Sequence, residues 1–102
     1  MSWNELELKV LQWAQDRKIL KHSTAMAQAI KTHEEVGELL SALHRLDREE
    51  AKDAYGDVLV TLIIGADLAG LSLTDCLAAA YLQIKDRKGT LRSDGVFVKE
   101  AA

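Results

Sequence analysis

Two acidic segments, His33-Glu34-Glu35-Val36-Gly37-Glu38 and Glu49-Glu50-Ala51-Lys52-Asp53-Ala54-Tyr55-Gly56-Asp57, each run without a break into an apolar stretch of helical period. Residues three or four apart share a helix face, so Glu34 with Glu38, Glu35 with Glu38, and Asp53 with Asp57 converge in pairs. The face of Glu35 continues through Leu39, Ala42 and Leu46, and that of Asp57 through Val60, Thr61, Ile64 and Leu68. A carboxylate in phase with core positions is costly unless it finds a partner or a proton. Two such helices packed face to face predict an all-α fold with an oxygen-lined pocket at their contact, suited to a cation.

No proline interrupts the 102 residues, and the rest of the pattern is helical as well. Ser2 can cap a first helix with Glu5 completing a capping box, and Trp3, Leu6, Val10 and Trp13 form one apolar stripe that fades after Arg17. Ser23 or Thr24 caps a second helix from about Ala25 to Leu46. Asp47, with Glu50 in the matching position, caps a third that Gly70 stops. Between Val58 and Ile64 this third helix is apolar nearly all round, so it is central to a bundle or buried between subunits. Ser72 or Thr74 caps a fourth helix, whose end is marked by Lys85, Arg87, Lys88 and Gly89. Val96-Phe97-Val98 alternates like an extended tail too short to make a sheet alone. The expectation is a four-helix bundle-like protomer forming a single domain over residues 1–102, assembled at least into a dimer because so small a chain covers few faces by itself.

Charge and cysteine usage narrow the partners. The net charge is -3 and basic residues are dispersed, which argues against nucleic acid. The longest apolar run, Val58 to Ala66, falls far short of the roughly 20 residues of a membrane span, so no membrane partner is expected. Cys76 is alone and reads as a small buried side chain, compatible with a reducing cytoplasm, where the protein is expected to reside. No secretory signal is visible at Met1-Ser2-Trp3-Asn4-Glu5.

The bland reading of the acids is a set of helix salt bridges with Lys31, Arg45, Arg48 and Lys52, which suits Glu34, Glu49 and Glu50 at least as well as function does. Glu35, Glu38 and Asp57 are better read as metal ligands. Their oxygens are hard donors that suit Mg²⁺ or Mn²⁺ rather than Zn²⁺. A di-iron bundle would show Glu-x-x-His on two helices, whereas Ile19, Ile30 and Ser41 stand three before His22, His33 and His44.

At these residues the chain resembles the MazG-like family of all-α nucleoside triphosphate pyrophosphohydrolases, which pairs a Glu-Glu-x-x-Glu helix with an acid-x-x-Asp helix. Lys31-Thr32-His33-Glu34-Glu35-Val36-Gly37-Glu38-Leu39 looks like the first motif, and Lys52-Asp53-Ala54-Tyr55-Gly56-Asp57-Val58-Leu59-Val60 like the second. The tail Ile84-Lys85-Asp86-Arg87-Lys88-Gly89 followed by Gly95-Val96-Phe97-Val98-Lys99 is similar to short, single-domain members. Two positions depart from the pattern. Ala54 stands where the family's second motif has an acid, so Asp53 is taken as the fourth ligand with Glu50 as its alternate. Leu82 stands where many relatives have asparagine.

The resemblance implies hydrolysis between the α and β phosphates of a nucleoside triphosphate, releasing a monophosphate and pyrophosphate, as clearance of non-canonical or surplus nucleotides. Glu35, Glu38, Asp53 and Asp57 would hold Mg²⁺, with Mn²⁺ as a substitute, and Glu34 or Glu38 would take the proton of the attacking water. Lys85, Arg87 and Lys88 are the candidate phosphate cations, with Lys31 beside them. Trp13 and Tyr81 are candidates to stack on a base, although they and Trp3 lie on apolar stripes where core packing is the simpler reading. The family makes a homodimer or a tetramer of two dimers the expected assembly. Two other readings compete: phosphoribosyl-ATP pyrophosphohydrolase, from the same superfamily, and a non-catalytic helical oligomerisation or regulatory module.

Overall fold

Each long helix begins where the sequence offers an oxygen to its first free amides. The computed structural model describes residues 1–101. It contains α1 (Trp3–Asp16), the one-turn α2 (Ile19–His22), α3 (Ala25–His44), α4 (Arg48–Leu68), α5 (Leu73–Ile84), and the strands β1 (Gly89–Leu91) and β2 (Phe97–Lys99). The Glu5 amide donates to Ser2 Oγ at 3.2 Å, Ala27 to Thr24 Oγ1 at 3.0 Å, Glu50 to Asp47 Oδ1 at 3.1 Å and Asp75 to Ser72 Oγ at 3.4 Å. Of the paired alternatives, Thr24 rather than Ser23 and Ser72 rather than Thr74 are therefore the caps.

The helix ends are less regular than the starts. Gly70, at φ 78°, closes α4 by donating to Asp67 O at 2.9 Å while Leu71 donates to Ala66 O at 2.8 Å, the Schellman arrangement. The same pair of bonds ends α3 at His44, two residues before the expected Leu46, because Leu46 itself takes the left-handed conformation at φ 57°. Leu46 thereby leaves the Glu35 face and is 90% exposed. Gly89 does not terminate α5, which stops at Ile84. It opens β1 opposite Lys99 in an antiparallel hairpin, where Val98 O and the Phe97 ring press so close to its Cα that a Cβ would collide. The tail finds its second strand within itself.

The core lies in the antiparallel α3–α4 hairpin. Ala42, Ala51, Ala54, Ile63 and Ile64 are buried there, and Ala14 of α1 closes over them. Small side chains let the helix backbones approach: a Cβ added to Gly65 would stand 3.2 Å from that of Gln28. Midway, Thr32 Oγ1 and Thr61 Oγ1 hydrogen-bond at 2.7 Å. The stripe of Trp3, Leu6 and Trp13 stays exposed and rims the molecule rather than filling it, while Glu7 and Ala14 form the buried face of α1. Glu7 Oε2 accepts from the Thr74 amide and hydroxyl, both at 3.0 Å, and its Oε1 accepts from Ser72 Oγ at 3.3 Å. This ties α1 to the start of α5, which turns from α4 by 99°. Neither α5 nor the hairpin buries a residue. Among the described residues no single helix is long and apolar enough to cross a membrane.

Candidate active site

Successive turns of α3 bring Gln28, Lys31 and Glu35 onto the side that faces α4, and Asp57, Thr61 and Ile64 answer from α4. These six residues line one cavity of about 470 Å³ together with Trp13. A second cavity of about 380 Å³, between Leu6, Val10 and Trp13 on one side and Val60 on the other, also reaches Asp57, with Lys9 at its edge. Trp13, Asp57 and Val60 thus stand where both cavities meet. The Trp13 ring is 42% exposed and is braced by the Arg17 guanidinium 4.7 Å from its centroid. Its expected core role is corrected: it is a wall.

Of the acids in the two segments, Glu35 is the one that the fold buries, at 8% exposure. Its Oε1 lies 3.5 Å from Lys31 Nζ, and its Oε2 is buried without a hydrogen-bond partner among the described residues. Lys31 thus answers one oxygen of this buried carboxylate and leaves the other unanswered, a costly arrangement. Glu38, one turn on, is exposed, and its carboxyl is held above the ordinary value of 4.5. The first cause is the hydrogen bond that its protonated form shares with Glu35, then the charge of Glu35, and Asp57 adds a smaller push against the opposing Lys31. Lys31 is raised in turn by Glu34, 3.3 Å away, and by Glu35. Glu38 therefore feels Glu35 on its own helix and Asp57 across the α3–α4 contact.

The remaining candidates are placed differently. Glu34 is exposed and makes the ion pair with Lys31 that a surface salt bridge predicts. Asp53 and Glu50 are exposed one and two turns before Asp57, outside both cavities, while Ala54 is buried where an acid would otherwise stand. Among the described residues no three acidic, histidine or cysteine side chains already stand close enough to enclose an ion. Lys85, Arg87, Lys88 and Tyr81 are exposed on α5 and the turn after it, and line neither cavity. Sequence reasoning overlooked Gln28, Thr32 and Lys9. Gln28 stands seven residues before Glu35, two turns along the same face, and that phase was its visible signal.

Comparison with known proteins bears on this arrangement. Residues 12–81 match the phosphoribosyl-ATP pyrophosphohydrolase family. The chain is 38% identical over 60 residues to an uncharacterised 18.2 kDa protein from the rep-hol intergenic region of Haemophilus phage HP1. The alignment covers 59% of this chain and 37% of that relative's length. In fold, the chain is similar to the cyanophage S-2L MazG-like pyrophosphohydrolase, whose structure holds dGDP and three catalytic Mn²⁺ ions per active site. That superposition covers 100% of this chain and 96% of the other, with a TM-score of 0.78 at 20% identity.

Proposed function

The chain belongs to the phosphoribosyl-ATP pyrophosphohydrolase family of MazG-like, all-α proteins, and from that premise we propose that it hydrolyses the α–β phosphate bond of nucleoside triphosphates. The observation that carries this reading is the buried Glu35 carboxylate, whose unpartnered Oε2 lies in the wall of a cavity that Asp57 and Trp13 also line, with Glu38 one turn on along α3. An orphaned buried oxygen and mutually repelling acids are what a cation would relieve, and an all-oxygen donor set fits Mg²⁺ or Mn²⁺. Glu35, Glu38 and Asp57 would hold it, with Asp53 as the fourth ligand and Glu50 its alternate. Bound there, the ion would neutralise phosphate charge and promote ionisation of the attacking water.

The chain's own residues would supply the rest. Glu34 or Glu38 accepts the proton as the water oxygen bonds to phosphorus and the bridging oxygen departs with its electron pair on pyrophosphate. Lys31, drawn off Glu35 when a cation replaces it, is free for a phosphate oxygen. Lys85, Arg87 and Lys88 would serve the leaving pyrophosphate, and Trp13 or Tyr81 would stack on the base. The dGDP and Mn²⁺ ions held by the cyanophage protein support a nucleotide substrate and a divalent metal. A role in clearing non-canonical or surplus nucleotides suits such a site.

The test is a panel of nucleoside triphosphates with separate detection of pyrophosphate and orthophosphate. Pyrophosphate as first product, lost in Glu38→Gln and Asp57→Asn, is expected; orthophosphate first, or full activity in both variants, overturns the reading. Phosphoribosyl-ATP is the second candidate substrate, favoured by the family matched over residues 12–81, and it belongs in the same panel. Faster turnover of it than of every triphosphate would make it the substrate instead.

A further inference from the structure

Resting on the nucleotide reading of this cleft, we propose that Gln28 is its base-reading residue, with its side-chain amide addressing the edge of the nucleobase. The 470 Å³ cavity has two chemically different ends. Glu35, Asp57 and Lys31 stand at one, and Gln28 stands at the other, seven residues away along α3, a rise of about 10 Å. A ligand with its phosphates at the acids lays its opposite end on Gln28, and in a nucleotide that end is the base. Trp13, Ile19 and Ile64 wall the same cavity with flat and apolar surface, where a base is desolvated and a hydrogen bond to its edge counts for most.

Gln28 is the one neutral amide among the residues lining this cavity, and it is fixed in place. Its Nε2 donates to Ser23 Oγ at 3.0 Å. Gly65 leaves its Cβ room, since a side chain there would meet that Cβ at 3.2 Å. The Ser23 bond takes one N–H of the amide, so the other N–H and the lone pairs of Oε1 remain for a ligand. An oriented donor beside an acceptor is the pattern that glutamine uses to read a base edge. The neighbouring hydroxyls of Thr32 and Thr61 are already engaged with each other.

The experiment has two readouts: binding of the four nucleoside 5′-monophosphates by calorimetry in the presence of a chelator, and kcat/KM for the four triphosphates with Mg²⁺. The wild type is expected to favour one base by roughly tenfold or more, the scale of a bidentate base contact. Gln28→Leu should compress that spread to within about threefold. Gln28→Glu should move the ranking toward guanine, whose adjacent N1–H and N2–H donors suit a carboxylate. Ser23→Ala keeps the amide but frees it, and should broaden the preference even where a Gln28 variant folds poorly. Cleavage with the wild-type ranking intact in Gln28→Leu and Ser23→Ala, or a wild type indifferent to base, overturns the assignment while leaving the pyrophosphohydrolase reading standing. A wild type that neither binds nor cleaves any nucleotide overturns both.

Discussion

At the scale of single residues the site turns on Glu35. Its importance was legible because it is in phase with Leu39 and Ala42 on α3, and the structure buries it as that phase requires. Glu35→Gln removes a buried carboxylate with one unanswered oxygen at the cost of a half-exposed pair with Lys31, so in chelator the variant should melt about where the wild type does, while the rise in melting temperature on adding Mg²⁺ should vanish. Thermal melts with and without Mg²⁺ decide this, and an undiminished rise would count against Glu35 as a ligand. Glu38 supplies a pH signature whose sign is fixed. Its folded-state pKa lies above the ordinary 4.5, pushed there first by Glu35, so just above that value the native state binds more protons than the unfolded chain. Its contribution to the stability of the metal-free protein therefore falls as pH rises through that window. Glu38→Gln should flatten this part of the profile, as read by denaturant titrations at successive pH values. Gln28 was missed for a physical reason: a neutral side chain on a helix face carries no mark of function until the opposing helix and Trp13 enclose it.

At the scale of elements, the starts of the helices were readable and their ends less so. Caps are local, so Ser2, Thr24, Asp47 and Ser72 announce themselves within three residues of the amides they serve. Gly70 is equally local, and Gly70→Ala should cost about 1 kcal/mol by forcing a Cβ into the left-handed region, measurable by denaturant unfolding. Leu46 defeated the pattern because an apolar residue in phase with a helix face gives no warning that it will adopt positive φ. Glu7 is the sharper case. Its partners Ser72 and Thr74 lie more than sixty residues away, beyond the reach of any local pattern. Three hydrogen bonds converge on its part-buried carboxylate, so Glu7→Ala should cost about 1–3 kcal/mol. Faster hydrogen exchange confined to the first turn of α5 would trace that loss to the tie between α1 and α5, and unchanged exchange there would refute it.

At the scale of the whole molecule, one chain leaves more surface than a finished globule should. Its exposed area is 7961 Å², against about 5,700 Å² for a compact monomer of this mass. The Cα radius of gyration is 15.9 Å, against about 13 Å for a compact chain of 100 residues. The excess, roughly 2,200 Å², is well beyond the ~800 Å² per partner of a standard interface. Its composition points the same way, since Leu59 and Leu62 on α4 and Leu77, Tyr81 and Leu82 on α5 are exposed apolar side chains. The sequence raised two fates for the all-round apolar stretch of α4, central burial or a subunit interface. The chain buries Thr61, Ile63 and Ile64 itself, which meets the first expectation, and leaves Leu59 and Leu62 outside, on the side where the second would apply. An assembly would also bear on the basic end of α5: Lys85, Arg87 and Lys88 line neither cavity of their own chain, so a role for them at a phosphate would require a second copy to bring them to a cleft. The protein should therefore scatter light as a dimer or tetramer at micromolar concentration, with a melting temperature that rises with protein concentration. Leu62→Asp should lower both the scattering mass and that concentration dependence, because a charge at this partly exposed position can still reach water in a monomer but is costly in an apolar interface. A wild type that is monomeric throughout, or a Leu62→Asp variant that assembles undiminished, would remove α4 as the interface.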